Sequence, residues 1–244
     1  MRYTVSILLA AVILGSCSPD HSSSPHKGSR MNVMEQGSPK KQALKNSVKL
    51  DVPLVKQNPE LKYGCEITSL AMVLQYAGIH VDKMTLSRQI KIENDPLITS
   101  KSGNILRWGD PEKGFVGDMT GVSKRGYAVY DKPIVDLMER YLPGRTVNLT
   151  KNDFSSILFH LSNGSPVITW TTGDYRVPDR PESWKHGNKI IHTPMDLHAV
   201  VVCGYDSQYL YLNDPLSGQK SLSVPKSVFI QSWKALGCRA VSYQ

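Results

Sequence analysis

The chain has 244 residues, a formal net charge of +8 from 29 Lys+Arg against 21 Asp+Glu, and 40% apolar residues. From residue 50 onward there is one domain's worth of sequence, long enough for a sizeable core. Much of the positive charge lies upstream, at Lys27, Arg30, Lys40, Lys41, Lys45 and Lys49. Basic residues interleaved with aromatics on a folded surface are missing, which excludes a nucleic-acid binder. A glycine-rich phosphate loop and zinc-type Cys/His spacing are also missing, so neither cofactor nor metal is expected.

Met1-Arg2 followed by the apolar run Val5 to Leu14 has the basic start and the core of about ten residues of a secretory signal. A membrane-spanning helix needs about 20 residues, so a permanent span is the weaker reading. The run ends Leu14-Gly15-Ser16-Cys17, which resembles the bacterial lipoprotein box. That resemblance implies lipidation of Cys17 as the first mature residue, anchoring the chain outside the cytoplasm on a bacterial membrane. The alternative is an ordinary secreted protein with an incidental cysteine. Residues 18–49 are rich in Ser, Lys, Gly and Pro, a composition that predicts a disordered basic tether. The organisation is therefore a signal over 1–17, a tether over 18–49 and a folded domain over 50–244.

Leu50 to Val55 contains Pro53 and reads as an edge strand or extended lead-in. The spacing predicts a helix over Cys65 to Ala77, closed by Gly78 and apolar around most of its circumference, hence central and buried. A second helix is predicted over Leu86 to Ile92 with Thr85 as N-cap, followed by a loop from Asn94 to Gly126. Pro133 sits at a first-turn position before a helix to Tyr141, and Asn152 caps another over Asp153 to Ser162. Pro166 to Thr171 reads as a strand, Gly173 to Asp196 as a long polar loop, and Leu197 to Cys203 as the next strand. After a turn at Gly204 to Ser207, Gln208 to Asn213 returns as a strand. A helix then runs from Pro225 to Leu236, and Arg239 to Tyr243 forms a last strand. Helices first and an antiparallel sheet afterwards make an α+β fold.

Four cysteines are present. Cys17 is assigned to lipid and Cys65 to chemistry, and Cys203 and Cys238 are expected as buried free thiols, with a disulfide between them as the alternative. Cys65 follows Gly64 and opens the predicted central helix. A helix N-terminus and a neighbouring protonated histidine both favour the thiolate, and a glycine before the sulfur leaves room for a substrate backbone. Downstream, a turn centred on Asp206-Ser207 places His198 opposite Asp214 or its immediate neighbour. A base and its orienter would then share the open end of a hairpin. Asp214 precedes Pro215, which biases it to an extended conformation and ends the ladder. Upstream, Gln57 could donate to a developing oxyanion together with the Cys65 N–H. Cysteine, histidine and acid in that chain order make a thiol-hydrolase pattern.

Several segments carry a family resemblance: Leu50-Asp-Val-Pro-Leu-Val-Lys-Gln57, Gly64-Cys-Glu-Ile-Thr-Ser-Leu-Ala-Met-Val-Leu74, Gly114-Phe-Val-Gly117 and Pro166-Val-Ile-Thr-Trp170. His198-Ala-Val-Val-Val-Cys-Gly-Tyr205, Asn213-Asp-Pro215, Phe229-Ile-Gln-Ser-Trp233 and Ala240-Val-Ser-Tyr243 extend it. The chain resembles papain-like cysteine peptidases of the bacteriocin-leader-processing family, in particular a stand-alone bacterial lipoprotein branch. The resemblance implies a papain-like fold, with Cys65 as nucleophile, His198 as base, Asp214 as orienter and Gln57 as oxyanion donor. The transporter-fused members cut after a double glycine; no transporter accompanies this domain, so that specificity is not carried over. The expected partner is a peptide or protein substrate, and a monomer is expected. An amidase or transpeptidase using the same groups, or a non-catalytic peptide- or wall-binding lipoprotein, are the alternative functions.

Overall fold

A computed structural model describes residues 44–244; the Cys17 signal and nearly all of the tether lie outside the described residues. The described chain begins with β1 (Val48–Lys49), α1 (Cys65–Tyr76), α2 (Lys83–Gln89), β2 (Ile92–Glu93), β3 (Ile98–Thr99), β4 (Ile105–Arg107), β5 (Phe115–Val116), α3 (Asp131–Glu139), β6 (Thr146–Asn148) and α4 (Phe154–Ser162). It continues with β7 (Val167–Thr172), β8 (Pro181–His186), β9 (Lys189–Pro194), β10 (Leu197–Tyr205), β11 (Tyr209–Asp214), β12 (Gln219–Pro225), α5 (Lys226–Ala235) and β13 (Ala240–Tyr243).

The α+β expectation holds. The main sheet runs β12-β11-β10-β7-β13-β6, all antiparallel, with β1 added to the far end of β10. Alternate side chains of a strand face opposite ways, and β10 uses both sides. Ala199, Val201 and Cys203 pack with α1 and α3 in one core, while Val200 and Val202 pack with α4 and α5 in another. Helices therefore cover both faces of the sheet, and the late helices α4 and α5 form the third layer. The central helix is as buried as its all-round apolar sequence predicts: every residue from Cys65 to Leu74 is buried, and Gly78 follows its end with φ +86°.

Several boundaries move for identifiable reasons. α2 begins at Lys83 because Asp82, not Thr85, is the cap: its Oδ1 accepts the Thr85 N–H at 2.7 Å. α3 begins at Asp131, which leaves Pro133 in the first turn, where its missing N–H costs no helix bond. Asp153 rather than Asn152 is the residue before α4. The folded chain starts upstream of Leu50, since β1 pairs with Gly204 and Tyr205 and the Lys45 carbonyl accepts the Tyr205 hydroxyl at 2.6 Å. Gly204 is required there, because a Cβ would lie 2.3 Å from the Val48 carbonyl oxygen. Cys203 and Cys238 are free thiols, which removes the disulfide alternative, but only Cys203 is buried as expected; Cys238 is half-buried.

The largest correction concerns residues 173–196, expected as a loop. They contain the hairpin β8–β9, turned at Gly187-Asn188 with Gly187 at φ +56°. With β3 and β4 it forms a four-stranded sheet over a small core of Ile105, Trp108, Val116, Trp184 and Ile191. Trp184 lies 5.6 Å from Trp108 and edge-on to Tyr127 at 5.3 Å, and its indole N–H donates to Gly109 O at 2.8 Å. The segment expected as a loop over 94–126 likewise contributes β3, β4 and β5. Strand β12 is a further element without a sequence expectation.

Candidate functional site

Cys65 is the first residue of α1 and 7% exposed. The three-residue approach is tight: Gly64 donates its N–H to Leu61 O at 3.0 Å, and a Cβ at position 64 would lie 2.5 Å from the Leu61 Cβ. The glycine is thus demanded by packing against Leu61, a different reason from the substrate access expected from sequence.

His198 and Asp214 are each 3% exposed, and His198 Nε2 lies 2.7 Å from Asp214 Oδ1. The expected pairing is offset, however. Val201 pairs with Asn213 and Val202 with Leu212, so Asp214 stands two residues out of register with His198, and the bond is a diagonal one. The offset arises in the turn, where Asp206 Oδ1 accepts the N–H groups of Gln208 and Tyr209 and lengthens the loop, and in a bulge between Val202 and Gly204. Asp214 also accepts from Leu216 N at 2.8 Å, Ser217 Oγ at 2.7 Å and the Tyr175 hydroxyl at 2.8 Å. Burial alone would raise its pKa, but the His198 bond and charge, then Ser217 and Tyr175, outweigh that and hold it well below the usual carboxylate range. Tyr175 itself sits at φ +66°, in the left-handed region that a bulky residue rarely adopts.

Gln57 is 2% exposed and tied to the same corner: its N–H donates to Pro215 O at 2.9 Å. Its side chain donates one amide hydrogen to Lys62 O at 2.8 Å, leaving the second free, and its Oε1 has no partner among the described residues. Lys83 clamps this loop from α2 through the Gln57 carbonyl at 2.9 Å and the Glu60 carboxylate at 2.6 Å. Asn213, next to Asp214, donates to Val52 O at 2.9 Å and so fastens the N-terminal arm to the same strand.

The sulfur of Cys65 is where sequence and structure part. Its thiol donates to Glu66 Oε2 at 3.3 Å, and His198 is not a hydrogen-bond partner of the sulfur. Burial first, and the Glu66 charge second, push the thiol pKa well up, with the backbone N–H of Ala199 opposing the rise. The helix N-terminus and histidine expected to favour the thiolate are thus outweighed. Glu66 was not singled out from the sequence, although a lone acid inside an apolar helix is a visible signal. It is fully buried, its Oε1 accepts the Val129 N–H at 3.1 Å, and burial raises its carboxyl to about 7. Tyr175 and Ser217 were also missed; nothing in their local sequence marks them. Cys17 lies outside the described residues. Among the described residues no cluster of three or more His, Cys, Asp or Glu is placed to hold a metal ion.

The arrangement offers an imidazole oriented by Asp214, a thiol at the start of α1 bonded to Glu66, and a Gln57 backbone tied to Pro215. Comparison with known proteins places the chain among relatives. Protein YvpB of Bacillus subtilis (strain 168), an uncharacterised protein, is 42% identical over 207 residues, covering 84% of this chain and 79% of YvpB. The crystal structure of a C39-like peptidase-family protein from Bacillus anthracis superposes with a TM-score of 0.74 at 37% identity, covering 82% of this chain and 98% of that one. The sequence model of the Peptidase_C39 like family matches residues 49–241. The chain belongs to that family.

Proposed function

We propose that the chain hydrolyses peptide bonds through an acyl-thioester on Cys65, with His198 as general base, Asp214 as its orienter, and Gln57 with the Cys65 N–H as oxyanion donors. The observation that carries this reading is the buried His198–Asp214 pair at 2.7 Å. Because Asp214 takes Nε2, the ring nitrogen left for the sulfur is Nδ1. The thiol proton passes to Nδ1 and the thiolate attacks the scissile carbonyl. The oxyanion that forms is met by the free amide hydrogen of Gln57 and the Cys65 N–H. Collapse breaks the C–N bond as Nδ1 returns its proton to the leaving amine. Water then attacks the thioester, again giving its proton to Nδ1, and thiol and carboxylic acid are released.

Cys65→Ala should reduce turnover of a peptide mixture by at least about a thousandfold and abolish labelling by a thiol-reactive epoxide. Near-normal turnover in a folded Cys65→Ala protein would exclude the thioester route. The domain works at the membrane surface, held through lipid on Cys17, a reading supported by the Leu14-Gly-Ser-Cys17 sequence. Cys17→Ser should move the protein out of the membrane fraction or leave its precursor uncut. A Cys17→Ser protein that matures normally and stays membrane-integral sinks the anchor.

A further inference from the structure

Glu66 is a buried acid that the reaction above leaves unused. It directly follows Cys65 on α1, is completely buried, and receives the thiol on one oxygen and the Val129 N–H on the other. Val129 is fixed in turn by the Trp170 indole N–H, which donates to its carbonyl at 3.0 Å. The carboxylate is therefore held by a rigid wall and is not free to swing away from the sulfur. No lysine, arginine or histidine forms an ion pair with it among the described residues.

The titratable groups around it do not supply a counter-charge. On its own helix there is Cys65. From the segment before α3 comes Tyr127, whose hydroxyl is engaged by Thr193 Oγ1 and the Pro194 carbonyl. Tyr130 beyond it also bonds Thr193, at 2.7 Å. Arg239 stacks on the Tyr130 ring at 3.7 Å but is committed to Asp131 and Glu112. On β10, His198 spends its Nε2 on Asp214. An ionised Glu66 and a Cys65 thiolate would thus be adjacent like charges in a buried site, which disfavours having both.

We propose that Glu66 is a positioning residue for the nucleophile: its ionised form holds Cys65 as a thiol, and its protonated form frees the sulfur and donates to the thiolate. This rests on Cys65 being the nucleophile. The proton balance closes without any other reactant. Glu66 takes one proton from solvent and stops accepting from sulfur. The thiol proton then moves to His198 Nδ1, giving an imidazolium and a thiolate that accepts the Glu66 O–H. With burial setting the Glu66 carboxyl at about 7, the exchange falls near neutral pH, and the reactive ion pair belongs to its acid side.

The test is the rate of Cys65 alkylation by iodoacetamide, read on the Cys65 peptide by mass spectrometry from pH 5 to 9, in the full chain and in Glu66→Gln. In the native protein the rate should fall as pH rises through 7, before climbing again when the thiol itself ionises. In Glu66→Gln that fall should vanish, and the rate at pH 8 should exceed the native one by about tenfold, the factor of one pKa unit. A merely structural Glu66 would change melting temperature without altering this profile. Identical profiles overturn the proposal. If Glu66→Gln does not fold, the native profile decides alone, because a single monotonic rise with pH also overturns it. Alkylation needs no turnover, so an unlinked profile in a protein whose activity still requires Cys65 rejects Glu66 alone, whereas active Cys65→Ala rejects the nucleophile.

Discussion

Asp214 and Glu66 are two buried carboxyl groups whose surroundings shift their pKa values in opposite directions. Asp214 accepts hydrogen bonds from His198, Leu216, Ser217 and Tyr175. Glu66 accepts from one backbone N–H and one thiol, with no cation in contact among the described residues. Desolvation penalises both charges; only Asp214 has enough donors, and a histidine, to overcome it. Burial alone therefore does not decide protonation here. The number of donors and the presence of a basic partner separate them, which fits the proposed roles of Asp214 in orienting the base and of Glu66 in governing the nucleophile.

Removing the better-satisfied carboxylate is the strongest way to break this contrast. Asp214→Ala should cost about 1,000- to 10,000-fold in kcat, as orienter losses do in triad hydrolases. Asp214→Asn should be milder, because an amide oxygen can still accept from the ring. A Asp214→Ala protein within about tenfold of normal activity would show that His198 is held by the fold alone.

Much of this was legible in the sequence, and the misses have physical causes. Cys65, His198 and Asp214 stand out by residue type and by their positions at element ends, where α1 begins and β11 stops before Pro215. The diagonal register could not be read, because it depends on the side chain of Asp206 capping its own turn and on a bulge at the end of β10. Phe229 and Trp233, four apart on α5, have the spacing of one helix face and are buried, with the Trp233 ring edge-on to Phe154 at 5.2 Å. The β8–β9 hairpin was hidden because only Trp184, Ile191 and Thr193 are buried along it; its other residues are polar or exposed and look like loop. Glu66 escaped because the apolar periodicity of α1 predicts burial of the helix without revealing how one acid within it is satisfied.

The smaller effect is a pH dependence of stability that separates the two carboxyls by sign. Asp214, with its folded pKa depressed, adds stability that is present above the unfolded value of about 3.9 and is lost on acidification below it. Glu66 behaves oppositely. Its unfolded pKa is about 4.3 and its folded value about 7, so between these the native state holds a proton that the unfolded chain has released. Stability then falls as pH rises through that window, and above it the cost of the buried charge stays constant. The shift corresponds to something on the order of 3 kcal/mol. In a domain of this size that is about 6–12 °C in melting temperature. Glu66→Gln cannot ionise and should escape the penalty. The melting temperature of Glu66→Gln minus that of the native protein should therefore grow by about that much between pH 4.5 and 8. Taking the difference cancels Asp214 and the surface groups, which both proteins share. A difference that stays flat across this range would mean that Glu66 keeps its charge at low pH, and that the two carboxyls are in the same state after all.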